Sequence, residues 1–196
     1  LDLNDEVLRF EGRERVERVV TRKQTLEADL VIVAAGVLPH SELARRAGLE
    51  LDPSGAIRVN ARMQTSDPAI FSGGDCVTVP NRITGKPGFF PYGSLANRQG
   101  RVIGTNLAGG QAVFQGSVGT FILKLFEISV GGTGLSVLRA AREGYEVISA
   151  FVVQFDRAHF FPDKDLMYLE MVVEKASGRV LGVQGLGNRG DGMFAR

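Results

Sequence analysis

The chain has 196 residues, of which 44% are hydrophobic and 23% are charged, and its net charge is +1. A nearly neutral chain gives no electrostatic reason to expect binding to nucleic acid or to a membrane surface. The longest apolar run, Leu30 to Leu38, is far shorter than the roughly 20 residues that span a bilayer. The single cysteine excludes an intrachain disulfide, so a reducing, cytoplasmic location is the simplest expectation.

The first part of the chain is predicted to consist mainly of strands. Two short strands with interrupting charges, Glu6 to Phe10 and Arg15 to Thr21, are expected to flank a turn. Leu30 to Ala34 is a continuous apolar run that leads to Gly36. Such a run is typical of a parallel strand that is buried on both faces.

The next part of the chain is predicted to hold a short helix, a strand and a loop. Ser41 is suited to be the N-cap of a helix from Glu42 to Ala47, which Gly48 would end. A strand is predicted at Ile57 to Val59 after a turn. The segment Lys86 to Pro91 has no regular pattern and is predicted to be a loop.

The most informative segment is Thr65 to Asp75, in which a turn leads into a short apolar strand and then into Gly73, Gly74 and Asp75. Glycines at the carboxyl end of a strand let the backbone approach a ligand closely. A carboxylate there accepts hydrogen bonds from ligand hydroxyls, so a sugar or polyol is a better candidate than a bare phosphate. Taken alone, the segment favours a plain strand-to-loop junction in which Asp75 caps a helix.

A helix is predicted to begin near Ser94. Small residues recur at every fourth position along it: Ala96, Gly100, Gly104 and Ala108. Each glycine costs up to about 1 kcal/mol relative to alanine in a helix interior. We therefore expect this face to lie very close to a sheet or a flat ligand, with helix–sheet packing as the main reason. The N–H groups at the helix start suit an anionic group.

From Phe114 onward the pattern changes to that of an α+β module. The predicted elements are a strand from Phe121 to Val130, a turn from Gly131 to Gly134, a helix from Ser136 to Glu143, a strand from Glu146 to Phe155, and a hairpin from Met167 to Gln184. The hairpin turn is predicted at Lys175 to Gly178.

Three segments in this order resemble the FAD-dependent pyridine nucleotide-disulfide oxidoreductases: Ala28 to His40, Thr65 to Asp75, and Ser94 to Arg101. The similarity is greatest to the branch that holds NADH oxidases, NADH peroxidases and coenzyme A-disulfide or persulfide reductases. His40 stands where the family usually has Asn. Phe160 and Phe161 stand where coenzyme A-disulfide reductases usually have two tyrosines, and the loss of these hydroxyls weakens that particular assignment.

The resemblance implies an α/β fold, namely the C-terminal part of a flavoprotein reductase with two dinucleotide-binding domains, followed by an α+β dimerisation domain. It places the end of the NAD(P)H-binding domain at residues 1–38, the C-terminal segment of the FAD-binding domain at 39–112, and the dimerisation domain at 113–196. The family's two glycine-rich phosphate loops and its redox cysteine precede the matching region. The chain is therefore expected to be the C-terminal portion of a longer enzyme.

The resemblance also implies which residues contact the cofactors FAD and NAD(P)H. The expected cofactor-binding residues are Gly36, Gly73, Gly74, Asp75, Ser94, Leu95 and Ala96. In the family, the start of this helix faces the pyrimidine edge of the flavin, where reduction places negative charge. Asn97, Phe160 and Phe161 are expected near the substrate. No catalytic residue and no metal site are expected within this chain.

Three other features suggest chemistry but have simpler explanations. Gly185 to Gly190 spells G-x-G-x-x-G, yet the residues after it are too few for a dinucleotide fold, so we expect a turn. Cys76 has no C-x-x-C partner and is expected to be a buried structural residue. His159 is separated from Pro162 by two phenylalanines and no Glu follows closely, so a packed histidine is expected rather than a general base.

The predicted function is the transfer of electrons from NAD(P)H through FAD to a disulfide, a coenzyme A-disulfide or a persulfide. One alternative is an NADH oxidase or peroxidase that reduces oxygen or peroxide, and another is a non-catalytic segment that supports dimerisation and contacts FAD. A homodimer is expected from the resemblance to the family's dimerisation domain, and also because the C-terminal module has more large apolar residues than it can bury. These residues are Phe121, Leu123, Leu125, Phe151, Phe155, Phe160, Phe161 and Met167.

Overall fold

The computed structural model describes residues 3–187. The chain divides into two compact units, with the boundary between Val37 and Leu38. Among the described residues, no helix is both long enough and apolar enough to cross a membrane.

The first unit is built on a three-stranded antiparallel sheet in the order β1-β2-β3. Its strands are β1 (Val7–Glu11), β2 (Arg18–Thr21) and β3 (Thr25–Glu27). The first two strands confirm the predicted pair. The parallel strand predicted at Leu30 to Ala34 is wrong, because this segment has no strand structure and the Ile32 side chain is 83% exposed. A parallel strand is stable only between hydrogen-bonded neighbours, and none of the described residues pairs with this segment.

The second unit begins with a short helix and a small mixed sheet. Helix α1 spans Glu42–Arg46, and the sheet contains β4 (Ile57–Arg58), β5 (Val77–Pro80) and β6 (Pro87–Phe89). Strand β5 is central, parallel to β4 and antiparallel to β6. The segment predicted as a loop therefore contains a strand, which was missed because Pro and Gly are unusual in strands.

The cap of α1 differs in detail from the prediction. Ser41 occupies the N-cap position, but its side chain does not bond the helix. Its hydroxyl instead donates to the carbonyl of Gly55. Gly48 follows the helix with φ of +73°, which confirms its predicted role in ending the helix.

Helix α2 (Gly93–Leu107) packs its buried face on the first hydrophobic core. That core contains Ala44, Ile57, Met63, Val77, Val79, Leu95 and Phe114. The buried face of α2 carries Leu95, Gln99 and Asn106, so two of its three buried residues are polar.

The rest of the second unit is a five-stranded antiparallel sheet in the order β7-β8-β11-β10-β9, with one short helix. Its elements are β7 (Phe121–Leu125), β8 (Ile128–Gly134), α3 (Val137–Arg142), β9 (Val147–Phe155), β10 (Leu166–Glu174) and β11 (Val180–Gly187). Leu135, Ala140, Val172 and Leu181 form a second buried core. Helix α3, β9 and the hairpin of β10 and β11 confirm the predicted elements.

One predicted strand in this sheet is in fact a hairpin. The segment Phe121 to Val130 turns at Phe126, which has φ of +54° and a side chain that is 95% exposed. The residues Gly131 to Gly134, predicted as a turn, belong to β8. A two-residue hairpin turn needs positive φ, and Phe-Glu is not a usual sequence for it, so the turn left no signal in the sequence.

Candidate functional site

The segment before the glycine pair is folded by side chains that bond the backbone. The backbone N–H of Asp67 donates to Oγ1 of Thr65 at 3.2 Å, and that of Ala69 donates to Oδ1 of Asp67 at 2.9 Å. The short strand predicted here is reduced to a single bridge between Gln64 and Phe71. These local turns fix the direction in which the chain enters the glycine pair.

The structure brings Gly73 and Gly74 against α2, where they meet Ala96, Gln99 and Ile103. A Cβ atom added to Gly73 would lie 2.8 Å from Cδ1 of Ile103, so a larger residue would displace that side chain. Gly74 has φ of +86°, and a Cβ there would lie 3.8 Å from that of Ala96. Glycine is therefore needed at position 73 because of the close approach to Ile103, and at position 74 because of the positive φ.

Asp75 follows directly and points a carboxylate toward solvent. It is exposed, and within the described part of the chain it has no hydrogen-bond or ion-pair partner. All of its acceptor capacity is therefore available to a ligand that carries hydroxyl or N–H groups.

Gln99 is the site residue that the sequence reasoning missed. Its side chain is 2% exposed, and Oε1 accepts the backbone N–H of Gly74 at 2.6 Å. This bond ties the loop to the helix. The available signal was the position of Gln99 four residues after Leu95, which places both on the same face of α2.

The start of α2 offers fewer unpaired donors than expected. The N–H groups of Leu95 and Ala96 both donate to the carbonyl of Tyr92, at 2.9 and 3.0 Å. The donors that remain available are therefore those of Gly93 and Ser94, while the Leu95 side chain is buried in the core. The amide of Asn97 donates to the carbonyl of Gly93 at 3.1 Å, so this exposed side chain reinforces the same turn.

The small-residue face of α2 does not pack on a sheet within the described residues. Gly100 and Gly104 are exposed, and a Cβ atom at either position would meet nothing within 4 Å. The expectation of close helix–sheet packing is therefore wrong for the described part of the chain. A shallow concave surface lies along this face, lined by Gly93, Ala96, Asn97, Gly100 and Arg101.

Phe160 and Phe161 form a separate cluster on the loop between β9 and β10. Their rings stack with centroids 4.8 Å apart, and the His159 ring contacts Phe160 edge-on at 5.7 Å. Phe160 is 71% exposed and His159 is also exposed, so the expectation of a packed histidine is wrong within the described chain.

The remaining predicted residues lie apart from these clusters or outside the described region. Gly36 belongs to the first compact unit and has φ of +81°. Cys76 is partly buried, with its sulfur 3.6 Å from Oγ of Ser72. In Gly185 to Gly190 the first three residues lie in β11 and not in a turn, and the others fall beyond the described residues. The described residues contain no cluster of three or more His, Cys, Asp or Glu that could hold a metal.

The geometry around α2 fits a cofactor with hydroxyl groups and a flat, partly anionic ring. An unpartnered carboxylate faces solvent, two glycines allow close approach, and a helix start offers unpaired N–H groups beside a face with almost no side chains. Glycines that allow close approach, a helix start and a carboxylate for hydroxyl groups are features that dinucleotide-binding α/β proteins use.

Comparison with known proteins gives the family. The model of the pyridine nucleotide-disulphide oxidoreductase family matches residues 1–91, and the model of that family's dimerisation domain matches residues 120–196. The chain belongs to the pyridine nucleotide-disulphide oxidoreductase family. This result confirms the family and the α/β fold class predicted from the sequence.

Individual relatives point to two kinds of activity. An NAD(P)H sulfur oxidoreductase (CoA-dependent) from Pyrococcus furiosus is 40% identical over 95% of this chain and 42% of its own length. An NADH oxidase from Methanocaldococcus jannaschii is 36% identical over 90% of this chain and 39% of its own length. The chain thus spans about two fifths of the curated relatives that it matches.

A solved structure supports the fold over nearly the same range. The crystal structure of a FAD-dependent pyridine nucleotide-disulphide oxidoreductase from Desulfovibrio vulgaris is 57% identical, with a TM-score of 0.82. The match covers 95% of this chain and 45% of that one.

Proposed function

We propose that this chain forms part of an NAD(P)H-dependent flavin oxidoreductase that passes electrons through FAD to a disulfide, a coenzyme A-disulfide or a persulfide. The observation that carries the proposal is the contact of Gly73 and Gly74 with α2, which leaves the Asp75 carboxylate exposed beside the helix start. The Pyrococcus relative, named as a sulfur oxidoreductase, supports this choice of acceptor.

In this proposal the chain's own residues bind and orient the flavin. Asp75 accepts a hydrogen bond from a hydroxyl of the cofactor's sugar-like chain. The N–H groups of Gly93 and Ser94 would stabilise negative charge on the flavin ring. Gln99 keeps Gly74 in place and so fixes the position of Asp75. When bound, FAD supplies the hydride acceptance and the electron transfer.

Replacement of Asp75 tests this proposal in the longer enzyme that we infer. Asp75→Ala should weaken flavin binding by about 1–3 kcal/mol, because a hydrogen bond to a charged acceptor is lost. The measurement is the amount of flavin per chain that remains after dialysis, read from its visible absorbance. Asp29→Ala is the matched control, since this carboxylate is also exposed and is 3.8 Å from Arg15, its ion-pair partner among the described residues. Equal flavin retention in both variants would contradict the proposal.

The other family activity remains the second candidate. The Methanocaldococcus relative, named as an NADH oxidase, favours oxygen as the acceptor. Steady-state NADH consumption by the longer enzyme with oxygen alone, compared with consumption under anaerobic conditions with a disulfide or persulfide, separates the two. Faster turnover with oxygen would replace the sulfur acceptor in our proposal.

The third candidate is that the chain by itself only contacts flavin and supports dimerisation. This candidate is favoured because the sequence has a single cysteine, Cys76, and its thiol is partly buried rather than exposed to a substrate. The 196-residue chain alone is expected to show no NAD(P)H-consuming turnover with any disulfide.

The proposal also assigns Gly36 to the nicotinamide cofactor, Asn97, Phe160 and Phe161 to the substrate side, and the whole protein to the cytoplasm.

A homodimer is part of the proposal, and the five-stranded sheet supports it. Strand register places alternate residues of the two edge strands on one face. These are Phe121, Leu123 and Leu125 of β7, and Phe151, Val153 and Phe155 of β9, with exposures from 39% to 65%. An apolar surface of this kind is typical of an isologous interface. Met167, which we grouped with these residues, lies on the opposite face.

A further inference from the structure

A cavity of about 190 Å³ lies in the second unit, beside α2 and the segment that leads into β7. The residues that matter for its chemistry are Arg82, Tyr92, Ser94, Arg98, Ser117 and Thr120. It is smaller than the roughly 300–1,000 Å³ of pockets that enclose a whole drug-sized ligand. A single ionic group is therefore a better match to this cavity than an entire molecule.

The fold holds both arginines, Arg82 at its backbone and Arg98 at its guanidinium. The backbone N–H of Arg82 donates to the carbonyl of Ser117 at 2.9 Å, next to the bridge between Asn81 and Ser117. The guanidinium of Arg98 lies over the ring of Phe114, 5.9 Å from its centroid. Because Phe114 is buried, Arg98 rests on a fixed surface at one side of the cavity.

The two positive charges are not neutralised within the described residues. Neither guanidinium has an ion pair there, and no Asp or Glu lines the cavity. The hydroxyl of Ser117 accepts the N–H of Gly119 at 3.0 Å, so its own proton can be donated into the cavity. The lining thus combines two cations with hydroxyl donors.

The cavity lies on a different side of α2 from the Gly74 contact, although Ser94 belongs both to the cavity lining and to the proposed flavin contact. At 3.6 residues per turn, positions 94, 95 and 98 project to one side of the helix, while positions 96 and 100 project away from it. Gly74 contacts the helix at Ala96 and Gln99. The arginine cavity therefore neighbours the flavin contact at Ser94 but is not the same surface.

We propose that Arg82 and Arg98 bind a phosphate group of a small molecule. Guanidinium groups match the geometry of phosphate oxygens through paired N–H donors, and charge-assisted hydrogen bonds are the strongest polar contacts in proteins. The aromatic ring of Tyr92 lies at the cavity edge and offers a surface for an organic group attached to that phosphate. The site goes beyond the proposed electron transfer and does not depend on bound flavin.

The test is calorimetric titration of the 196-residue protein with two probes, inorganic phosphate and phenyl phosphate, at constant ionic strength. Arg82→Gln and Arg98→Gln should each weaken phosphate binding about tenfold or more, since each removes a charged hydrogen-bond donor. Arg142→Gln is the matched control, because Arg142 is an exposed arginine on α3 outside this cavity. Binding should also weaken as salt is raised.

Each outcome of the titrations either supports or overturns the phosphate site. Loss of affinity in the two cavity variants but not in Arg142→Gln supports the site. Tighter binding of phenyl phosphate than of inorganic phosphate identifies an organic phosphate ester as the ligand, and the reverse order identifies the free ion. Equal affinity in all three variants, or no binding of either probe at millimolar concentration, overturns the proposal. Circular dichroism of each variant establishes that it is folded.

Discussion

The region around α2 and the five-stranded sheet are held together in different ways. Around α2, buried polar side chains bond the backbone, as Gln99 does to Gly74 and Asn106 does to Ala112. In the sheet, strand pairing gives regular order, but Leu125 is 56% exposed and Phe151 is 65% exposed. The first region is held by hydrogen bonds from buried side chains to the backbone, while the second exposes apolar surface that a partner could cover.

This contrast separates two kinds of experiment. Changes around α2, or at points of backbone crowding, should alter the stability of the single chain. Changes on the exposed apolar surface of the sheet region should alter association and leave the single chain folded. The following predictions test whether the two regions respond in these different ways.

The largest effect is expected at Gly134, where the sheet backbone is crowded. A Cβ atom there would lie 2.1 Å from the carbonyl oxygen of Leu181, which strand pairing holds in place. Gly134→Ala should cost about 3 kcal/mol or more, or prevent folding, because backbone cannot move aside. The measurement is urea unfolding followed by circular dichroism.

Gly178 is the matched control for that substitution. It has the same φ of +71° as Gly134, but a Cβ atom there would meet nothing within 4 Å. Gly178→Ala should therefore cost only the backbone term of about 1–2 kcal/mol. Equal losses in the two variants would show that conformation, and not crowding, decides the cost at Gly134.

The next-largest effect is expected on the association of two chains into a dimer. Phe160→Ser with Phe161→Ser should give a monomer, or a much weaker dimer, in analytical ultracentrifugation at micromolar concentration, because both rings are exposed beside the sheet edge. The control pair is Leu43→Ser with Leu138→Ser, which are 82% and 61% exposed on α1 and α3. If the phenylalanine variant sediments like the parent protein, the interface lies elsewhere.

A smaller loss is expected from the buried amide at the end of α2. Asn106 donates to the carbonyls of Arg62 and Ala112 and accepts the N–H of Ala112, at 2.8 to 3.0 Å. Asn106→Ala should destabilise the chain by about 2–3 kcal/mol, because buried backbone groups lose their partners. Asn97→Ala on the same helix should cost less than about 0.5 kcal/mol, since that side chain is exposed. Similar unfolding free energies would contradict the role of Asn106.

The elements that the sequence predicted are those with local causes. Helix α2 follows from its apolar and small-residue spacing, and the hairpin of β10 and β11 follows from alternating residues around a turn at Lys175 to Gly178. The glycine pair was predicted as a site because glycines at a strand end let the backbone approach a ligand. The structure adds a φ of +86° at Gly74 and a close approach of Gly73 to α2.

Several features that were missed depend on contacts that a local pattern does not show. Leu30 to Ala34 has the composition of a buried strand, but a strand also needs neighbours, which composition does not reveal. Gln99 became part of the site only through a bond to a residue 25 positions away. The N–H groups of Leu95 and Ala96 were unavailable because Tyr92, just before the helix, turns its carbonyl toward them. Periodicity carries none of this information.

The smallest expected effect is a pH-dependent change in stability, which arises at the loop that carries Phe160 and Phe161. The Asp156 carboxylate accepts bonds from the Arg157 guanidinium at 2.7 and 2.9 Å and from the backbone N–H of Asp165 at 2.9 Å. Arg157 also pairs with Asp163 at 2.7 Å, so these bonds fasten both ends of the loop. The Arg157 bond, followed by the Asp165 N–H bond, lowers the pKa of Asp156 below its ordinary value.

A lowered pKa in the folded state means that the ionised carboxylate favours folding. Its contribution is present above the ordinary carboxyl pKa of about 4 and is lost as pH falls through the lower folded-state value. The parent protein should therefore lose more stability on acidification than Asp156→Asn, and the difference should appear only below about pH 4. The measurement is the urea midpoint as a function of pH, with Asp29→Asn as an exposed control. Parallel acid profiles for the parent and Asp156→Asn would show that this carboxylate does not fasten the loop.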